Sequence, residues 1–188
     1  FPDFRVTEAF AGNTSIAELM NHKPMMFVVL RYIGCTVCRY DVHLLTQRIN
    51  EFKEKGVNVC VVMQSTSENV KNDLDGQTLP FPLICDSDMH VYQSLDIAPA
   101  NSMEELVGED MDALKAKGDK AKACGFVHGV YEGNEQQLPA FFYVDGNGKV
   151  LVSHYAKTIV DMPSIDEMLA MICLLYTSPS PRDRQKSR

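Results

Sequence analysis

Apolar and polar positions change period several times along the chain, and each change marks an element. Met25-Met26-Phe27-Val28-Val29-Leu30 is an unbroken apolar run, the pattern of a strand covered on both faces. Beyond it, Leu44, Leu45, Ile49 and Phe52 recur among charged residues at helical spacing. They predict an amphipathic helix to about Lys55, stopped by Gly56. Residues 57–63 are apolar again, and strand, helix and strand make a βαβ unit. Ser65-Thr66-Ser67-Glu68 has capping-box spacing from Ser65 and opens a further helix, broken by Gly76, Pro80 and Pro82. Residues 81–85 read as a third strand, and Asp86-Ser87-Asp88 as the cap of a short helix to about Leu95. Upstream, residues 4–7 predict a short edge strand, and residues 16–21 a helical turn stopped by Pro24.

The alternation then lapses over about 98–136. Ser102-Met103-Glu104-Glu105 resembles a capping box, and Met103, Leu106, Val107, Met111 and Leu114 fall near one face. Gly108 and Gly118 are expected to interrupt this helical insertion, with a loop near Gly129 to Asn134. Its methionine-rich face suits core, a cap over a neighbouring site, or a homodimer contact. Residues 140–144 are apolar, Asp145-Gly146-Asn147-Gly148 is a hairpin signal, and residues 150–155 return as an antiparallel strand. Ser164 and Glu167 fit a capping box for a last helix. The predicted order is β-α-β-α-β, insertion, β-hairpin, helix, an α/β chain forming one domain over residues 1–172.

Composition narrows the function classes. Of 188 residues, 45% are hydrophobic, enough for a sizeable core, and the net charge is −7. No basic patch interleaved with aromatics occurs, which argues against nucleic acid, and no apolar run approaches a membrane span. The chain begins at Phe1, so a lost signal peptide stays open. The six cysteines do not form the pattern of a secreted disulfide scaffold. Cys60 and Cys85 sit in predicted strands as small hydrophobes, which favours a reducing, cytoplasmic setting. The last segment stands apart: Cys173 to Asp183 coincides with the translation of a transposase sequencing adapter, and its continuation accounts for residues 184–188. Residues 173–188 are therefore expected to be non-native, truncating the last helix, and are left out of fold reasoning. Without its four basic residues and one acid, the chain is more acidic still.

The candidate chemistry is Cys35-Thr36-Val37-Cys38, placed where the first apolar strand hands over to the amphipathic helix. Unpaired N–H groups and the positive end of a helix dipole stabilise a thiolate there. Cys35 is the candidate nucleophile, and Cys38, one turn on, the candidate resolving thiol. The alternatives are structural thiols or half a zinc site. A closed zinc site needs four ligands, and no second CxxC, CxxH or HxxxH is present. Cys124 suits a helix-end thiol or a distant resolving thiol, and His43 a packing histidine.

Three segments together resemble the AhpC/TSA peroxiredoxin-like group of the thioredoxin superfamily. Residues 31–39, Arg-Tyr-Ile-Gly-Cys-Thr-Val-Cys-Arg, are similar to its CxxC version of the peroxidatic segment. Residues 81–88, Phe-Pro-Leu-Ile-Cys-Asp-Ser-Asp, are similar to a typical peroxiredoxin strand, and residues 135–145, Glu-Gln-Gln-Leu-Pro-Ala-Phe-Phe-Tyr-Val-Asp, to a late strand of the subgroup. The resemblance implies a thioredoxin-like fold, a central mixed sheet flanked by helices. It implies Cys35 as peroxidatic cysteine, Cys38 as the second redox cysteine, and Pro139 as a cis-proline against the CxxC. Thr36, Tyr32, Pro139 and Arg39 are the implied substrate-positioning residues, with no cofactor and no metal. Departures are visible: Tyr32 replaces the usual threonine or serine, Val28 the usual proline, and Val29 the buried acid of thioredoxins. No arginine stands on the strand at Pro139-Ala140, so Arg31 or Arg39 would have to substitute.

The implied activity is a peroxide-reducing dithiol–disulfide cycle of Cys35 and Cys38, with a thioredoxin-type thiol donor as partner. The alternative is a thioredoxin-like oxidoreductase acting on disulfides. A third reading is a non-catalytic adaptor that binds a partner through the insertion.

Overall fold

The structure, a computed structural model, describes residues 1–177, so the part of the adapter-like segment beyond Thr177 lies outside the described residues. Seven strands form one mixed sheet in the order β2-β1-β5-β4-β3-β6-β7. Strand β3 (Met25–Val29) is central, parallel to β4 (Asn58–Met63) and antiparallel to β6 (Ala140–Val144). Beyond β4 lie β5 (Leu83–Cys85), β1 (Arg5–Glu8) and β2 (Gly12–Ser15); beyond β6 lies β7 (Val150–Tyr155).

Every β3 residue is buried because both faces of the sheet are covered. Met26 and Val28 point to a core shared with α2 (Thr36–Glu54), α3 (Ser67–Asp73) and α7 (Ile165–Thr177). Phe27 and Val29 point to a second core closed by α1 (Ile16–Met20) and α4 (His90–Ser94). Each fully buried side chain of this size stabilises the fold by about 1.5–3 kcal/mol. Among the described residues, no helix is long and apolar enough to cross a membrane.

Three local expectations give way to tertiary context. The first strand is not an edge, because β2 pairs with β1 on its outer side. Thr66, not Ser65, caps α3, since the Ser65 hydroxyl turns inward to accept from Ile33 N–H at 2.9 Å. Asp86 does cap α4 as expected: its carboxylate accepts from Val91 and Tyr92 N–H at 2.9 and 3.3 Å. In the insertion, α5 (Met103–Val107) ends at Gly108 as expected, but α6 (Met111–Ala123) runs through Gly118. A glycine in a helix costs about 1 kcal/mol, and the preceding turn is anchored by Leu114 packing and the Lys117–Asp41 ion pair at 2.7 Å. The expected 145–148 turn forms, with Gly146 so close to His22 carbonyl oxygen that a Cβ would stand 2.3 Å away.

Candidate active site

The site lies where β3 ends and α2 begins. Residues 30–34 carry the chain between them without regular structure, and each neighbour holds them at a different atom. Leu30 N–H donates to Val62 carbonyl at 2.9 Å, and Gln64 N–H to Arg31 carbonyl at 2.8 Å. Ser65 holds Ile33, and Gly129 N–H donates to Gly34 carbonyl at 2.8 Å. Cys35 follows as the N-cap of α2, and Thr36 is the first residue of the helix.

Cys35 and Cys38 are each 3% exposed and not bonded to each other. The Cys38 thiol donates to the Cys35 sulfur, which is the largest influence lowering the Cys35 pKa to about 6. Burial opposes it, while the Arg31 guanidinium and the N–H groups of Cys38 and Val37 add to it. Arg31 Nη1 stands 3.8 Å from the Cys35 sulfur. Burial and its bond to Cys35 push the Cys38 thiol well up. These influences favour the ionised form at Cys35 and the protonated form at Cys38. Nε of Arg31 is buried without a hydrogen-bond partner.

A cavity of about 270 Å³ opens on Cys35. Arg31, Tyr32, Thr36 and Val37 form its CxxC side, and Met103, Leu106, Val107 and Leu114 of the insertion its apolar wall. The methionine-rich face therefore meets the site, with Met103 half exposed at the rim. A strap over residues 126–136 closes another side. Glu132 accepts from Thr66 N–H and the Asn69 side chain, and Gln64 and Asn134 exchange two hydrogen bonds. Gly34 permits the approach, since a Cβ there would stand 2.3 Å from Val130 carbonyl oxygen. The strap brings His128 Nε2 to 3.1 Å from the Tyr32 hydroxyl and sets the His128 ring against Tyr131, tilted by 30° at 4.1 Å between centroids. Burial raises the Tyr32 phenol far above its usual value, so it stays protonated at ordinary pH.

The six expected site residues separate into two groups. Cys35, Cys38, Thr36 and Tyr32 come together, and Arg31 is the arginine at the sulfur. Arg39 is turned away: its guanidinium pairs with Asp73 and lies 5.1 Å over the Phe126 ring. Pro139 stands just before β6, receives Ala156 N–H on its carbonyl at 3.1 Å, and does not line the Cys35 cavity. Its expected cis bond is also corrected, since no peptide bond among the described residues is cis. Cys124 is exposed at the end of α6, and His43 packs between Tyr40 and Phe126. Sequence reasoning missed His128, Tyr131 and the Asp41–Lys117 pair, one turn beyond Cys38. The only sequence signal for Asp41 is an acid on the otherwise apolar face that follows the CxxC.

The fold is that of known redox proteins. A structure of a cysteine-to-serine mutant of peroxiredoxin 6 from Arenicola marina superposes with a TM-score of 0.66 at 15% identity, covering 94% of this chain and 71% of that one. The reduced 2-Cys peroxiredoxin of Plasmodium vivax gives 0.65 at 14% identity, covering 94% and 79%. A putative thiol:disulfide interchange protein DsbE from Chlorobium tepidum gives 0.58 at 16%, covering 93% and 92%. No curated protein sequence matches the chain significantly. The sequence model of the AhpC/TSA family matches residues 1–153, most of the chain and all of the sheet but the last two residues of β7, and on that match the protein belongs to the AhpC/TSA family.

Proposed function

We propose that the protein is a thiol peroxidase that cycles between a Cys35/Cys38 dithiol and disulfide. The observation that carries this reading is the asymmetric pair, a Cys35 thiolate supported by Arg31 beside a Cys38 thiol that keeps its proton. The thiolate attacks the terminal oxygen of a hydroperoxide. A sulfur–oxygen bond forms, the oxygen–oxygen bond breaks, and the leaving alkoxide or hydroxide takes up a proton from solvent. Sulfur is oxidised to sulfenic acid and the peroxide is reduced. Cys38 then attacks the Cys35 sulfur, and the disulfide forms as hydroxide departs with the Cys38 proton as water. A dithiol donor of the thioredoxin type returns two electrons and two protons. Thr36 and Tyr32 face the cavity in which the peroxide would sit.

One observation favours thiol–disulfide exchange as a second reading. Cys38 is buried one turn from Cys35, the placement that lets it release a mixed disulfide from within. Stopped-flow mixing of the reduced protein with hydrogen peroxide and, separately, with a model disulfide distinguishes the two. The peroxidase reading expects the faster oxidation with peroxide, forming a Cys35–Cys38 link by peptide mapping. Inertness to peroxide with rapid reduction of the disulfide refutes it in favour of the second.

A further inference from the structure

Tyr92 reaches the active-site turn from the opposite side of the sheet. Its ring is fully buried in the core closed by α1 and α4, away from the cavity above Cys35. Its hydroxyl donates to Leu30 carbonyl and has Val62 and Arg31 carbonyl oxygens at 3.3 and 3.5 Å. Two of these carbonyls have partners in the backbone: Val62 accepts from Leu30 N–H and Arg31 from Gln64 N–H. In a regular parallel ladder, the Gln64 N–H would continue to Leu30 carbonyl after the Leu30–Val62 bond. Here the chain bends one residue early, Gln64 bonds to Arg31, and Leu30 carbonyl is left to the tyrosine. A buried carbonyl without a donor is costly, so the bend that starts the CxxC turn depends on a donor from below.

We propose that Tyr92 is a positioning residue for the active site: its hydroxyl takes the carbonyl that the β3–β4 ladder gives up at Leu30, and so fixes the bend from which Arg31 reaches the Cys35 sulfur. The tyrosine does not line the cavity on Cys35 and acts on that sulfur through Arg31. Its own placement is secured by Asp86, whose carboxylate accepts from Val91 and Tyr92 N–H at the start of α4. Loss of the hydroxyl frees residues 30–31 to follow the regular ladder, which rotates the Arg31 side chain from its 3.8 Å contact with the sulfur.

The inference rests on Cys35 being the reactive thiolate, and the test separates the two. The rate of Cys35 alkylation by iodoacetamide is measured against pH, with peptide mapping to isolate Cys35, in the reduced full chain and in Tyr92→Phe. The phenylalanine keeps the ring, and circular dichroism confirms the fold. Tyr92→4-aminophenylalanine supplies a weaker N–H donor and stands in if the phenylalanine chain does not fold. The midpoint is expected lowest in the unaltered chain, higher with the amine and highest with phenylalanine, with about a threefold loss of rate near pH 6 and convergence above pH 9. In an Arg31→Gln background, the tyrosine substitution should add no further shift, because the contact it maintains is gone. A merely structural role would lower thermal stability without moving the pH profile. An unmoved midpoint in a folded variant, or a shift that persists in full without Arg31, overturns the inference. A Cys35 in the unaltered chain that titrates near the ordinary thiol value overturns the thiolate reading itself.

Discussion

Replacing Arg31 with glutamine isolates the charge that faces the sulfur. The surroundings of Cys35 lower its pKa to about 6 from an ordinary 9.0, a difference of roughly 4 kcal/mol at about 1.4 kcal/mol per unit. The Cys38 thiol is the largest contributor, and a hydrogen bond to a charged acceptor contributes about 1.5–3 kcal/mol. Burial opposes it and outweighs Arg31, so the guanidinium at 3.8 Å is assigned a modest share of the remainder, roughly one pKa unit. Arg31→Gln should move the midpoint to about 7. At pH 6 the thiolate fraction then falls from about one half to about one tenth, and above pH 9 the two proteins converge. Iodoacetamide rates at Cys35, resolved by peptide mapping across pH 5–10, read this directly. Arg39→Gln is the control, because that guanidinium is committed to Asp73 and should leave the profile in place. A midpoint unmoved by Arg31→Gln, or moved as far by Arg39→Gln, would refute the electrostatic account of Cys35.

Other expectations follow from the same geometry. The Cys35 pKa is depressed on folding, so the stability it contributes is complete above the unfolded value near 9 and is lost as pH falls through about 6. Urea midpoints of the reduced protein should therefore rise from pH 6 to pH 8 relative to Cys35→Ser, and parallel curves would count against a thiolate. A stabilised thiolate favours the reduced dithiol, so glutathione titration should give a potential above the about −270 mV of thioredoxin, and a lower one would contradict it. Lys117→Met leaves Asp41 without its partner; with both side chains about a fifth exposed, the cost should be about 1–2 kcal/mol by urea denaturation. A loss under 0.5 kcal/mol would show the pair to be solvated. Gly34→Ala drives a Cβ into Val130 carbonyl and should cost about 1–3 kcal/mol. Hydrogen exchange should quicken across residues 128–134, and unchanged protection there would show that the strap does not rest on Gly34.

The sequence alone carried the features that depend on local physics. The unbroken apolar run at 25–30 requires a strand buried on both faces, and the spacing of Leu44, Leu45, Ile49 and Phe52 requires a helix with one apolar side. The turn at 145–148 and the caps at Ser102 and Ser164 rest on residues within four positions of one another, as does the place of Cys35 at a helix N-terminus. What the tertiary structure decided are contacts between residues far apart in the chain. Nothing near Arg31 or Arg39 says which of them meets the sulfur; Asp73 and Phe126 take Arg39, and the bend held from Gln64 and Tyr92 aims Arg31. Ser65 is a good cap by local rules and serves instead as the acceptor for Ile33, thirty-two residues away. His128 reaches Tyr32 across ninety-six residues only because Gly34 lets the strap approach. Periodicity reports which face of an element is buried, because burial acts on every turn of a helix or strand alike. It cannot report which partner a polar side chain finds, because that is fixed by a few directional bonds formed only once the sheet has brought its strands into register.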